Sequence, residues 1–190
     1  ELTINHLLQG DYKKGNNFAK ATLKMCKTLF KDCMVNPAVA DALFWRGEGQ
    51  RFTGDMERAR QNHDDAMDLR KRALGKDHAG FGRSQAALAD VLANRGLYEE
   101  AEALYRKALK QQKSSCTEES LDLAHTLNAY AECMRHRNNY DIAAENNEAA
   151  MAIRCMQMKE VNPNAFLLLE CAINSRLIEL DQIVPPVNVP

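Results

Sequence analysis

The residue types that most often carry chemistry are present in this 190-residue chain, but their spacing does not build a catalytic site. Cys133 and His136 are three residues apart and would share one face of a helix, where they could hold a metal ion together. Two ligands without a second pair are weak grounds for zinc, so we expect no metal. The six cysteines form no C-x-x-C pair and no regular framework, which favours reduced thiols in the cytoplasm.

Acidic residues occur in adjacent pairs, such as Asp64 with Asp65 and Glu99 with Glu100. Neighbouring side chains on a helix point about 100° apart, so these pairs do not converge on one substrate as an acid and a base must. No Cys–His pair comes with a third orienting group, and neither glycine-rich phosphate-binding pattern occurs. We therefore expect no enzymatic activity, no catalytic residue and no cofactor.

The charge balance and hydropathy of the chain exclude two classes of partner. The formal net charge is −1, which gives no general basic field for nucleic acid. The basic clusters at 70–72 and 107–113 are expected to lie on outer, solvated faces. No apolar run approaches the ~18–20 residues that a membrane span needs. We expect neither a nucleic-acid nor a membrane partner, and the abundant Ala, Leu, Glu, Lys, Arg and Met favour helices.

Three segments of the chain match one another at a fixed offset of 42 residues, as from Gly54 to Gly96. Each copy has a small residue, then a turn residue, then an alanine. The small residues are Gly47, Ala89 and Ala131, the turn residues are Gly54, Gly96 and Asn138, and the alanines are Ala59, Ala101 and Ala143. A period of this length indicates a stacked array in which no unit buries its apolar face alone.

Each full copy is predicted to contain a helix A, a tight turn and a helix B. Asn36 and Pro37 form a start signal, and Gly96 suits the left-handed position that ends a helix. The predicted array covers residues 1–181, followed by an extended proline-rich tail over 182–190. Within the array we predict a partial repeat at 1–30, full repeats at 37–74, 79–112 and 117–158, and a closing helix at 163–181. The chain begins with Glu1, and we expect it to be a fragment of a longer protein.

These slots resemble the tetratricopeptide repeat, which has a small residue, then G-x-Y, then A-x-x-x-(F/Y)-x-x-A. The 42-residue period is similar to the longer-helix form found in kinesin light chains and nephrocystin-like proteins. The segments 72–78 and 96–109 carry the resemblance, whereas the third copy departs from it at Asn138 and Asn147. The resemblance implies an all-α fold, a right-handed superhelical array of helix–turn–helix repeats (an α-solenoid).

The resemblance also implies that a peptide or helical segment of a partner protein binds in the concave groove lined by helices A. In the family geometry, helix A positions 2, 5, 9, 12 and 13 face that groove. The predicted partner-binding residues are Phe44, Glu48, Arg51, Phe52, Arg83, Asp90, Asn94, His125, Asn128, Glu132 and Arg135. Phe44 and Phe52 could anchor an apolar ligand residue, while Trp45 is expected in the core and His63 in a structural packing slot.

One groove slot repeats its chemistry, since Glu48, Asp90 and Glu132 are 42 residues apart. These acids could form a ladder that prefers basic or polar peptides. Alternatively, Glu48 and Glu132 could pair within their own helices with Arg51 and Arg135, three residues further on. Chaperone-binding members of the family clamp a C-terminal carboxylate with lysine and asparagine. Here the corresponding slots hold Phe44, Ala86 and acids, which would repel a carboxylate.

The sequence thus predicts a cytoplasmic scaffold or protein–protein interaction module. The alternative is a structural subunit embedded permanently in a large cytoskeletal assembly, for example an axonemal or ciliary one. Kinesin light chains also need a heptad region to join the heavy chain, and no heptad run appears here.

Overall fold

The computed structural model describes residue 3 and residues 9–29, 35–115 and 120–162, and all regular structure within these ranges is helical. The helices are α1 (Tyr12–Leu29), α2 (Pro37–Phe52), α3 (Met56–Leu74), α4 (Ala79–Asn94), α5 (Tyr98–Ser115), α6 (Leu121–His136) and α7 (Tyr140–Val161). Helices α2, α4 and α6 take the place of helix A, and α1, α3, α5 and α7 that of helix B. The predicted all-α repeat array is confirmed.

Two of the helices A begin at a side-chain cap. The Asn36 carboxamide oxygen accepts a hydrogen bond from the Ala38 N–H at 2.8 Å, and Pro37 occupies the first turn of α2. His78 Nδ1 accepts one from the Gly80 N–H at 3.0 Å and so caps α4. These acceptors satisfy N–H groups that have no partner inside a helix.

The turn between helices A and B uses the same left-handed backbone in every copy. Gly54 and Gly96 have φ of +85° and +78°, and Asn138 takes the same slot in the third copy with φ of +61°. Gly10, which precedes α1, has φ of +77°. After glycine, asparagine is the residue that best tolerates this conformation. The replacement of glycine by Asn138 in the third copy therefore preserves the turn.

Each helix packs against the next along the chain, and successive helices A also contact one another. The alanine slot of helix B is closed in every copy, since Ala59 and Ala101 are 0% exposed and Ala143 is 5% exposed. Gly47 serves the same purpose on helix A, because a Cβ added there would lie 2.7 Å from Nε2 of the buried His63. His63 is structural, as predicted.

The predicted closing helix and tail fall on residues 163–190, which lie outside the described residues. The division of the chain into repeats, closing helix and tail therefore stays a prediction. Among the described residues, no helix combines the length and apolarity needed to cross a membrane.

The left-handed turn predicts the effect of Gly96→Ala. An alanine Cβ is strained at φ of +78°, so the free energy of unfolding should fall by about 1–2 kcal/mol. Gly96→Asn, which copies the third repeat, should lose less. Urea unfolding followed by circular dichroism measures both; equal losses for the two variants would contradict this account of the turn.

Candidate functional site

Three successive helices A line a concave pocket with a volume of about 340 Å³. Its walls are Phe44, Trp45, Glu48, Arg51 and Phe52 from α2, Arg83, Ala86, Ala87 and Asp90 from α4, and Leu121, Asp122, His125 and Thr126 from α6. Seven of the predicted groove residues are among them. The other four, Asn94, Asn128, Glu132 and Arg135, are exposed and do not line this pocket.

An aromatic corner forms the α2 wall of the pocket. Phe44 is 5% exposed and meets Trp45 edge to face, with ring centroids 5.3 Å apart. The Arg83 guanidinium lies 4.6 Å from the Phe44 centroid and 5.1 Å from that of Trp45. Trp45, which we expected in the core, packs against the core and also lines the pocket. A guanidinium at these distances forms cation–π contacts with both rings.

The Glu48 carboxylate, part of the pocket lining, is held by two neighbours. Arg51 donates to it at 2.7 Å from its own helix, and His63 Nε2 lies 3.2 Å away from α3. Burial alone would raise the pKa of Glu48, but the nearby His63 imidazole and the hydrogen bonds and charge of Arg51 lower it to about 2. Glu48 is therefore an internal ion-pair partner and is ionised at neutral pH.

The other two acids of the predicted ladder differ from Glu48 and from each other. Asp90 is buried and accepts a 2.6 Å hydrogen bond from the Tyr105 hydroxyl, and burial raises the pKa of its carboxyl. Glu132 is exposed and accepts from Arg135 at 2.9 Å, a contact that lowers its pKa. Pairing within the helix is thus confirmed for the first and third acids, and the three do not form a uniform ladder.

Arg70 contradicts the expectation that the cluster at 70–72 is solvated. It is only 3% exposed, and it donates to Asp41 at 2.6 Å and to the Ser84 hydroxyl at 2.7 Å. Its guanidinium also lies 4.8 Å from the centroid of the Phe44 ring. A carboxylate and a hydroxyl from two other helices compensate its desolvation, so Arg70 fixes α3 against both α2 and α4.

Across the pocket, Arg83 Nε lies 3.7 Å from a carboxylate oxygen of Asp122 and so links α4 to α6. Sequence reasoning missed Asp122, together with Leu121 and Thr126, because the family numbering of groove positions starts at His125 in this copy. These residues lie in the first turns of α6, where the observed helix begins at Leu121. Leu121 is exposed and adds an apolar side chain to the pocket lining.

The end of a helix A is covered by a ring from the start of the preceding helix B. Phe52 stacks on Tyr12 with centroids 4.8 Å apart, and His136 stacks on Tyr98 at 5.0 Å. Phe52 keeps 47% of its surface exposed and lines the pocket, while the Arg51 guanidinium lies 4.3 Å from its ring centroid. Phe52 therefore packs against the preceding copy and also forms part of the pocket wall.

The possible metal ligands Cys133 and His136 are engaged elsewhere. The Cys133 thiol is buried and donates to the Tyr98 carbonyl oxygen at 3.5 Å, and burial raises its pKa to about 11. His136 is stacked on the Tyr98 ring. Within the described ranges, no three His, Cys, Asp or Glu side chains converge as metal ligands.

Two tetratricopeptide repeat models match the sequence, one over residues 51–80 and the other over 81–156. The chain belongs to the tetratricopeptide repeat family. Together the two matches cover the stretch from the end of α2 to the last turns of α7, so they include all of α4 and α6. No curated protein matches the sequence.

Solved structures with the same fold include BtubC (BKLC) from P. vanneervenii, with a TM-score of 0.66 and 16% identity over 82% of this chain. The chain spans 61% of that BtubC chain. Another contains nearly identical TPR-like repeats of a predicted kinesin light chain from Podosopora anserina, with a TM-score of 0.58, 14% identity, 83% of this chain covered and 74% of that one. The likeness lies in the fold, and it agrees with the predicted kinesin light chain-like repeat type.

The buried Glu48 pair predicts an acid-dependent loss of stability. Its pKa of about 2 in the folded state lies below the ordinary 4.5, so the pair stabilises the fold above about pH 4.5 and loses that effect as the pH falls towards 2. Glu48→Gln should lower the free energy of unfolding at pH 7 by on the order of 3 kcal/mol, and the difference from the wild type should shrink on acidification.

Urea unfolding at pH 7, 4.5, 3 and 2 measures this effect. The matched control is Glu132→Gln, which removes an exposed acid that also pairs with an arginine three residues away, and it should change stability by less than about 0.5 kcal/mol. If the two variants showed the same dependence on pH, burial of the Glu48 pair would not be its cause.

Proposed function

We propose that this chain is a protein–protein interaction module that holds an extended or helical segment of a partner in its concave groove. Tetratricopeptide repeats generally mediate protein–protein interactions. The observation that supports the groove is the pocket between α2, α4 and α6, which combines an aromatic corner with alanines and an exposed leucine. Apolar pockets with aromatic walls are typical sites for the anchor residue of a bound partner.

The charges around the pocket indicate what kind of anchor it accepts. Arg51 is paired with Glu48 and Arg83 with Asp122, while Asp90 is buried and accepts from Tyr105. Since these groups already compensate one another, a charged ligand residue would have to displace an existing partner. We infer that the partner inserts an aliphatic or aromatic side chain against Trp45, Phe52 and Leu121, and that its polar backbone lies along the rim.

The alternative role, as a subunit embedded in a cytoskeletal or ciliary assembly, has one observation in its favour. Large apolar side chains are exposed on α7, among them Met151, Met156 and Val161. Burial of such a surface against neighbours is common in permanent assemblies. We propose that the chain is a cytoplasmic module that recruits a partner protein. The alternative is that it is a subunit associated with the cytoskeleton or the cilium.

Trp45 provides a direct probe of groove binding, because it is the one tryptophan of the sequence and it lines the pocket. Peptides selected on the chain from a random display library should shift the Trp45 emission on titration. Arg83→Ala and Phe52→Ala should each lower the affinity for the selected peptides about tenfold or more. Lys110→Ala, on the exposed face of α5, should leave the affinity unchanged. Peptides that bind without changing Trp45 emission and tolerate both groove variants would contradict groove binding.

The same fluorescence assay tests the prediction for chaperone peptides. A peptide ending in the C-terminal carboxylate of a chaperone should not bind at micromolar concentration in physiological salt, because the clamp positions hold Phe44, Ala86 and acids. The matched probe is the same peptide with an amidated C-terminus. A micromolar dissociation constant that depends on the free carboxylate would overturn the prediction.

A further inference from the structure

A second cleft, separate from the groove pocket, lies between α1 and α2 and has a volume of about 480 Å³. We call it the cationic cleft; its lining is Asn17, Lys20, Ala21, Leu23, Lys24 and Arg46. Asn17, Lys20 and Lys24 follow one face of α1 at helical spacing, and Arg46 faces them from α2. The cationic cleft and the groove pocket share no lining residue.

The three cations of this cleft are not neutralised within the described part of the chain. None of their nitrogen atoms lies within ion-pair distance of a carboxylate oxygen there. On the same helix, Lys14 has its own partner, with Nζ 2.8 Å from an Asp11 oxygen. Lys20, Lys24 and Arg46 therefore present three positive charges to one cleft.

The repeats show that the fold does not require these cations. The slots of Lys20 and Lys24 fall on Asp64 and Asp68 in the next copy, 44 residues on. Both of these residues pair with arginines of their own helix, Asp64 with Arg60 and Asp68 with Arg72. A position that takes lysine in one copy and aspartate in the next has no fixed role in packing.

Arg46 differs in residue type from the corresponding residues of the other two copies. Its slot holds Leu88 in the second copy and Tyr130 in the third, and both are buried core residues. In the first copy an arginine takes the place of this core side chain and is half-buried beside the cleft. A half-buried guanidinium costs desolvation unless an anion or a set of acceptors meets it.

We propose that the cationic cleft binds a run of carboxylates in an acidic segment of a partner protein. Arg46 can take a carboxylate through two parallel N–H donors, and the two lysines add flexible charges at the rim. Ala21 and Leu23 give an apolar floor for the methylene groups of glutamate side chains. A protein segment suits the cleft better than nucleic acid, because the cleft holds only three cations on a chain of net charge −1.

The test uses a fluorescein-labelled hexaglutamate peptide and the full chain, with fluorescence anisotropy measured at low and at physiological salt. Lys20→Glu combined with Lys24→Glu should weaken binding at least tenfold, and Arg46→Gln at least fivefold. The matched control is Lys107→Glu combined with Lys110→Glu, which changes the net charge equally on exposed positions of α5 and should weaken binding less than twofold. Circular dichroism melting of each variant checks that it is folded.

Two further results would overturn the site itself, and a third would overturn the class of partner. Equal losses in the two double variants, or no binding by the wild type, would overturn the site. An oligonucleotide of the same charge that binds more tightly and responds to the same variants would overturn the partner class. Arg83→Ala in the groove pocket should leave hexaglutamate binding unchanged, so failure of groove binding and failure of the cationic cleft can be told apart.

Discussion

The structure depends on how closely neighbouring helices approach one another. Ala59, Ala101 and Ala143 occupy the same closed slot in successive copies, and a larger side chain there would push the helices apart. On helix A of the first copy the approach is closer still, because Gly47 has no side chain and so leaves room for the ring of His63 against α2. These contacts bring α2, α4 and α6 side by side, and the concave pocket follows from that arrangement.

Electrostatics then give the pocket its character. Burial favours a partner for the charged groups that line the pocket. Glu48 pairs with Arg51 on its own helix, while Arg83 and Asp90 have partners on α6 and α5. Arg70 and Arg83 both lie over the Phe44 ring, while each also reaches a carboxylate, that of Asp41 or of Asp122. The positive charges thus brace the aromatic corner and are largely compensated, which leaves an apolar surface facing the groove.

Sequence alone could predict the features that are set locally. The left-handed turn at Gly96, the Asn36 cap and the closed slot at Ala101 depend on a few consecutive residues or on one helix face, so their pattern is visible in the sequence. The burial of Arg70 was not visible, because its partners Asp41 and Ser84 are 29 and 14 residues away. Trp45 could not be assigned either, since its exposure depends on where α4 lies relative to α2.

The most direct test of the account compares Ala101→Leu with Ala103→Leu, two enlargements of α5 at a closed and an exposed position. We predict that Ala101→Leu lowers the free energy of unfolding by about 1–3 kcal/mol. It should also lower the affinity for the peptides selected on the groove, because it separates α6 from α4. Ala103→Leu should change stability by less than about 0.5 kcal/mol and leave the peptides bound. Unchanged stability and peptide affinity in Ala101→Leu would contradict the claim that close helix packing builds the groove.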